Sequence, residues 1–449
     1  MPAISGGLPL GVNGVAAFSI LALTVSLSLA RPRVKGLRVE HAIAAGIGAL
    51  LSLALGIVPL DLVVLGVKIL FFPLLTIVSL MVITLVAEHA GLFTLLSSRI
   101  AQAARGDGRR LFAYIFCCGA ITGAFFTNDA AVLIFTPLVF ELVEQVRSEK
   151  WTLEQRIPFY FAVLYVANVV GVLVISNPIN IVVASLFHIS FAEYARWMVL
   201  PGIASIVVSF IGLRTTFRKS IPEKFDWSPT MARRPKSRRL INLCGVVLAV
   251  TLVGFFTDSI TGIPTWLVAF SGACLLLGIH VSVGKERALP ILKGVSWDVL
   301  AFVLGIFVVV LGLRHAGMTH AIGQLLSHLV SKGPAVMTGA TSLIAAVASS
   351  IMNNHPTADM MGWAIRDLNA PPLTAKALAF AALIGGDLGP KMLPIGSLAA
   401  LIWFRLLRDR GVQIPYLLYV KIGIPVTLAA IAAAVLVLNV ELSLAGFLR

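Results

Sequence analysis

The sequence predicts an all-α polytopic membrane protein, built as an inverted repeat with two re-entrant hairpins and two broken transmembrane helices. Three observations lead there. Hydrophobic residues make up 58% and charged residues 12% of the 449, with a mean hydropathy of +0.96, which leaves too little polar surface for a water-soluble globule. Apolar runs recur at lengths suited to helices crossing a hydrocarbon core of about 30 Å, and the alternation of a β-barrel is absent. Polar strings rich in Asn, Pro and Gly interrupt four apolar stretches where unbroken helix would otherwise run.

The elements follow in chain order, with Lys and Arg taken as marks of cytoplasmic loops. Gly14–Ala30 forms a helix within an N-terminal segment, 1–38, that stands as an extra transmembrane helix ahead of the repeat. No base precedes it, whereas Arg31, Arg33, Lys35 and Arg38 follow. This reverses the polarity of a secretory signal and places the N-terminus outside.

The first half of the repeat spans 39–213. His41–Leu60 rises to a short outer turn, and Leu62–Val86 returns to Arg99, Arg105, Arg109 and Arg110. The 36 residues Leu111–Val146 begin and end among bases, since Arg147, Lys150 and Arg156 follow. One span does not satisfy both ends; two half-helices turning at Thr127-Asn128-Asp129 do, giving hairpin 111–146. A broken helix, 159–187, is interrupted by ISNPIN at 175–180, and Trp197–Leu213 returns to the inside. The nine Lys/Arg from Arg214 to Arg239 make 214–240 a basic cytoplasmic linker.

The second half, 241–449, repeats the plan from the other face. Leu243–Phe256 and Trp266–His280 form a pair, with Lys285, Arg287 and Lys293 inside, and Trp297–Leu313 rises outward. After an amphipathic piece, His315–Val330, comes hairpin 336–366 with ASSIMNNHPTADMM at 348–361. Broken helix 375–404, centred on GGDLGPKMLPIGS at 385–397, descends to Arg405, Arg408 and Arg410, and Val420–Leu438 leaves the C-terminus outside. This layout puts about 26 of the 35 Lys/Arg on the cytoplasmic side. Asn128 and Asn353 are 225 residues apart, and Gly171 and Gly389 are 218 apart, the spacing of a duplicated unit.

A net charge of +15 would suggest nucleic acid in a soluble chain, but here the bases lie in the loops. Cys117, Cys118, Cys244 and Cys274 sit in apolar runs without metal-ligand spacing, so they read as packing residues, with no disulfide framework, metal or cofactor. No Walker motif is present, which excludes ATP hydrolysis by this chain and points away from an enzyme.

Irregular backbone at membrane depth survives only against protein or a watery cavity, so the four interruptions are expected to share a site. Half-helix termini bring free N–H and C=O groups there. The side chains supplied are Thr127, Asn128, Ser176, Asn177, Asn180, Asn353, Asn354, Thr357 and Ser397, with Pro394 in the last break. All but the proline are neutral donor and acceptor groups suited to a hydroxyl-bearing solute. Asp129 and Asp387 stand out, because an acid at membrane depth is costly unless paired, solvated or protonated. They are read as proton-coupling groups, against the alternative that each caps a half-helix. Lys391, four residues after Asp387, is placed to pair with it; His355 either titrates or bonds backbone.

The strings FFTNDAAVLIFTPLV, SNPINIVVASLF, MNNHPTADM and GGDLGPKMLPIGSLAALIW resemble the ArsB-type arsenical pump membrane proteins, within the wider ion transporter superfamily. The resemblance implies a scaffold region and a transport region, in a bacterial cytoplasmic (inner) membrane. It implies export of arsenite and antimonite driven by proton import, alone or with a soluble arsenite-stimulated ATPase, and leaves room for a homodimer through the scaffold. It places Asn128, Asp129, Asn177, Asn180, Asn353, Asn354, Asp387, Gly389, Pro394 and Ser397 in the family's motif regions, with Ala130 and His355 departing from its pattern. Arsenite in neutral water is an uncharged trihydroxide, so amides, hydroxyls and helix ends suffice without a thiol cage. The rival readings within the superfamily are a sodium/proton antiporter and an oxyanion or carboxylate carrier, the last disfavoured because Lys391 alone offers positive charge.

Overall fold

The computed structural model describes residues 12–34, 37–146, 151–167, 171–225 and 237–446, with the side chains of Val12, Val34, Leu37, Arg38, Asn128, Asp129, Ala130, Gln145, Val146, Ala167 and Leu398 outside that description. Of two runs of helices in chain order, the first contains α1 (Val12–Ala30), α2 (His41–Ala54), α3 (Leu60–Ala90), α4 (Leu92–Ala104), α5 (Gly108–Phe125), α6 (Asn128–Val146), α7 (Leu153–Ala167), α8 (Pro178–Leu186) and α9 (Phe191–Thr216). The second contains α10 (Arg238–Phe256), α11 (Asp258–Thr261), α12 (Thr265–Ser282), α13 (Ala288–Gly294), α14 (Trp297–His315), α15 (Met318–Val330), α16 (Pro334–Met352), α17 (Asn354–Asp367), α18 (Pro372–Leu388), α19 (Leu398–Arg408) and α20 (Tyr416–Leu444). A two-residue antiparallel ribbon, β1 (Arg33–Val34) with β2 (Leu37–Arg38), is the single sheet among the described residues.

Eight stretches among these residues are long and apolar enough to cross a membrane: α1, α3, α9, α10, α12, Ala288–His315, α16 and α20. Their boundaries follow from local chemistry. α3 starts after Pro59 and stops at Gly91, whose φ of 90° is the left-handed conformation that terminates helices. α5 starts at Asp107, whose carboxylate accepts the Arg110 N–H at 3.0 Å. The outward faces are apolar, as at Val246, Val250 and Leu436, each at least 60% exposed. In water such faces would aggregate; in a bilayer they are the lipid contact.

The packing repeats between halves. α1 lies on α2 and α14, as α10 lies on α12 and α3; α2 packs on α14 as α12 does on α3. α6 meets α19 as α17 meets α8, while α9 and α20 pair with each other. Exchanging the halves leaves this set of pairings unchanged, the signature of a pseudo-two-fold arrangement. α1, set apart in the sequence as an extra helix, thus packs as α10 packs.

The chain breaks between helices at Phe126-Thr127, between α5 and α6, and at Asn353, between α16 and α17. α16 has 19 residues and the composition of a full span, longer than an arm that stops at the midplane requires. The linker is less free at its start than its composition suggests. The Phe225 N–H bonds the Gly106 carbonyl at 2.9 Å, and Arg109 pairs with Glu223 at 2.7 Å, so the chain after α9 is tied to the α4–α5 turn.

Candidate functional site

The site grows from two breaks of the same design. After α7, a 3-10 turn (Val174–Ser176) leads into extended Asn177, and Pro178 opens α8. After α18, 3-10 turns Gly389–Lys391 and Pro394–Gly396 lead into extended Ser397, which opens α19. Proline lacks the N–H that would continue the helix and is tolerated in the first turn of the next one. Asn177 accepts the Ile179 N–H at 3.3 Å and Ser397 accepts the Ala400 N–H at 3.4 Å, each capping the half-helix that follows.

Asp387 is fully buried near the end of α18, and the first break surrounds it. Its Oδ2 accepts the Gly171 N–H at 2.9 Å and the Asn180 amide at 3.1 Å. Its Oδ1 accepts the Asn177 amide at 2.5 Å. All three donors come from the other half of the chain. A buried carboxylate without partners costs several kcal/mol, and each bond to a charged group contributes about 1.5–3 kcal/mol. The cradle therefore joins the two broken helices. Gly171 is required by proximity: a Cβ there would collide with the Asn180 amide and stand 2.9 Å from both Ser176 Oγ and Tyr194 Oη.

Lys391 and Asp387 are both buried and their charges act on each other, but no direct contact within 4.0 Å joins them. Three N–H donors already occupy the carboxylate. The 3-10 turn also changes the angular step that would have stacked Lys391 over Asp387. Lys391 is buried, and its ammonium lies 5.0 Å from the Tyr165 ring centroid. Among the cysteines, Cys244 is buried and Cys118 half-buried, but Cys117 and Cys274 lie on exposed faces, and all four are free.

At the first tip, Thr127 is buried and its carbonyl accepts the Ala131 N–H at 2.9 Å. Asn128 and Asp129 begin α6, but their side chains lie outside the described residues. At the second tip, Asn353 has φ 83° and ψ 159°, a region that side chains rarely adopt. Its carboxamide oxygen accepts the His355 N–H at 3.3 Å, its carbonyl accepts Thr357 Oγ1 at 2.9 Å, and its Nδ2 is buried without a partner. His355 is buried edge-on to Phe302 of α14 at 5.6 Å, Thr357 and Asp359 are buried, and Asn354 and Pro394 are half-buried.

The structure thus brings Asn177 and Asn180 onto Asp387, with Ser176 beside Gly171 and donating to the Leu173 carbonyl. The tips face separate crevices. Asn353 borders one with Thr24, Ser28 and Phe302. Phe126 borders another, of about 330 Å³, with Leu80, Ile175, Leu248 and Phe255. Sequence reasoning missed Tyr194, a buried aromatic on α9 whose hydroxyl has no partner beside the cradle. Nothing in its local string, FAEYARW, marks it.

The profile of the arsenical pump membrane proteins, ArsB, matches residues 15–442. An arsenical pump membrane protein of Escherichia coli is 34% identical over 428 residues, covering 95% of this chain and 98% of that protein. A putative arsenical pump membrane protein of Bacillus subtilis (strain 168) is 26% identical over 432 residues, covering 91% and 96%. Among solved structures, the YdaH transporter of Alcanivorax borkumensis superposes with a TM-score of 0.61 at 13% identity, covering 96% of this chain and 98% of that one. MtrF of Neisseria gonorrhoeae, from a class of antimetabolite efflux pumps, gives 0.55 at 11% identity, covering 96% and 95%. At such identities the solved structures establish a shared fold alone.

Proposed function

The chain belongs to the ArsB family of arsenical pump membrane proteins, and from that premise we propose that it exports arsenite and antimonite from the cytoplasm in exchange for protons, by alternating access. The cargo is the neutral trihydroxide. The observation that carries the reading is the cradle of Asp387, a buried acid held between the two broken helices by donors from the opposite half. An acid so placed changes charge at the point where the halves would part if the site changed the side it faces. Around it stand amides and hydroxyls, which match a ligand of three hydroxyl groups.

In this mechanism the hairpins enter from opposite faces of the bilayer, as an inverted repeat requires, and both termini lie in the periplasm. The site releases its cargo outside, takes up protons on Asp129 and Asp387, returns inward and discharges them. Proton import alone drives the cycle; a soluble ATPase and a second copy of the chain are additions to it.

The test is uptake into everted membrane vesicles, which should accumulate arsenite on energisation at a rate indifferent to sodium. Asp387→Asn should reduce that uptake to background while the protein remains in the membrane. Sodium-dependent proton movement without arsenite uptake would replace this reading with sodium/proton antiport, and uptake of citrate with a carboxylate carrier.

A further inference from the structure

We infer that Asn180 is a positioning residue that follows the charge state of Asp387 by turning its carboxamide over. The inference rests on the proton-coupling reading above and names the group that converts protonation into a change of bonding at the same site.

The two asparagines on this carboxylate are not equivalent. Asn177 uses both ends of its amide: Nδ2 donates to Asp387 Oδ1, and its oxygen caps α8 at the Ile179 N–H. Turning it over would forfeit the cap. Asn180 uses one end only. Its Nδ2 donates to Asp387 Oδ2, while its Oδ1 is buried with no partner. A buried acceptor left unbonded costs about 1–3 kcal/mol, and such a group calls for an explanation.

The cradle supplies one. Each atom bonded to Asp387 is an N–H donor, an arrangement that fits an ionised carboxylate, which only accepts. A protonated carboxyl carries an O–H that must find an acceptor, and a cradle of three donors has none. Rotating the Asn180 amide by half a turn brings its unused Oδ1 to Asp387 Oδ2. The bond Nδ2–H···Oδ2 is then replaced by Oδ2–H···Oδ1, while the Gly171 and Asn177 bonds remain. Both states are satisfied at Asp387, and the difference between them appears at Asn180, in the first turns of α8.

The surrounding groups leave this acceptor in a short field of rivals. From α9 comes Tyr194, whose buried hydroxyl also lacks a partner. The turn after α18 brings Lys391, which only donates. α16 brings the hydroxyls of Ser342 and Ser349, which donate to the Ala381 and Gly385 carbonyls. α20 carries Tyr419, and α17 carries His355 and Asp359, none of them bonded to Asp387. Among the described residues the competing acceptors to test are Tyr194 and Ser176, whose hydroxyl lies equally close to Gly171 and donates to the Leu173 carbonyl while keeping its lone pairs.

Infrared difference spectra of the full-length protein in lipid, recorded between alkaline and acidic pH with asparagine labelled at the side-chain carbonyl, read this directly. The protonated-carboxyl band lost in Asp387→Asn identifies the acid. As that band grows in the wild type, one asparagine carbonyl band should shift to lower frequency, because an unbonded carbonyl becomes an acceptor. The shift should be absent in Asp387→Asn and Asn180→Leu and retained in Tyr194→Phe and Ser176→Ala. If Asn180→Leu does not fold, the comparison of wild type with Asp387→Asn stands without it. An Asp387 band that grows with no asparagine shift overturns the inference, as does a shift lost in Tyr194→Phe or in Ser176→Ala. Absence of any Asp387 band overturns it together with proton coupling, whereas vesicles that fail to take up arsenite while the band persists remove the cargo and leave the switch.

Discussion

Asn180 and Asp387 are 207 residues apart in the chain and 3.1 Å apart in the structure, donor to acceptor, with one in each half. Their bond is part of what holds the two broken helices together. Asp387→Asn should therefore act on function and locally on structure. The amide replaces one acceptor oxygen with a donor facing donors, leaving at least one buried N–H unpaired at a cost of about 1–3 kcal/mol. Transport in vesicles should fall to background, and the protein should melt a few degrees lower in detergent. Normal pumping by this variant would remove Asp387 from the mechanism.

Gly171→Ala tests the same cradle from its floor. The added methyl would collide with the Asn180 amide and press on Ser176 and Tyr194. These groups sit among buried neighbours and cannot yield without loosening Asp387. The expectation is at least a tenfold loss of transport rate in vesicles, together with a lowered melting temperature. Gly46→Ala is the control, since nothing stands within 4 Å of a Cβ there.

A second set of bonds joins α14 to the end of α17. Arg314 donates to both oxygens of Asp367, at 2.7 and 3.0 Å to Oδ1 and 3.2 Å to Oδ2, and stacks 4.0 Å from the Trp363 ring. Thr319 adds a hydroxyl at 2.8 Å. The two charged side chains are only 14% and 18% exposed. Asp367→Ala leaves the guanidinium without its partner and should cost about 3 kcal/mol, seen in detergent unfolding. Arg314→Lys keeps the charge but loses the fork and the stacking, and should recover only part of that loss.

How far the sequence could be read depended on which forces left a local trace. Spans were legible because lipid demands an uninterrupted apolar helix, and breaks because Pro178 and Pro394 lack the N–H that would continue one. Asp387 was legible since an acid is conspicuous in such surroundings. The lack of a direct contact between Lys391 and Asp387 was not, because the four-residue spacing stacks two side chains only while the chain stays α-helical, and it tightens to a 3-10 turn at Gly389. Tyr194 left no trace: it matters through contacts with Gly171, from another segment, and no periodicity records that. The counterpart relation of α1 and α10 is likewise a matter of packing, which charge bias and punctuation do not encode.

Asn353 allows strain and function to be separated. Its φ of 83° and ψ of 159° lie in a region that is nearly the preserve of glycine, at a cost on the order of 1–3 kcal/mol. A residue kept there in spite of that cost, with a buried and unpartnered Nδ2, is expected to serve a ligand. Asn353→Gly relieves the backbone while removing both the amide and the cap on the His355 N–H, so stability should change little and transport should fall steeply. Asn353→Ala removes the same groups without relieving the backbone, so it should lose transport and melt lower. Vesicle uptake and thermal unfolding of the two variants decide the matter, and a glycine variant that pumps at the wild-type rate would reduce Asn353 to a turn residue.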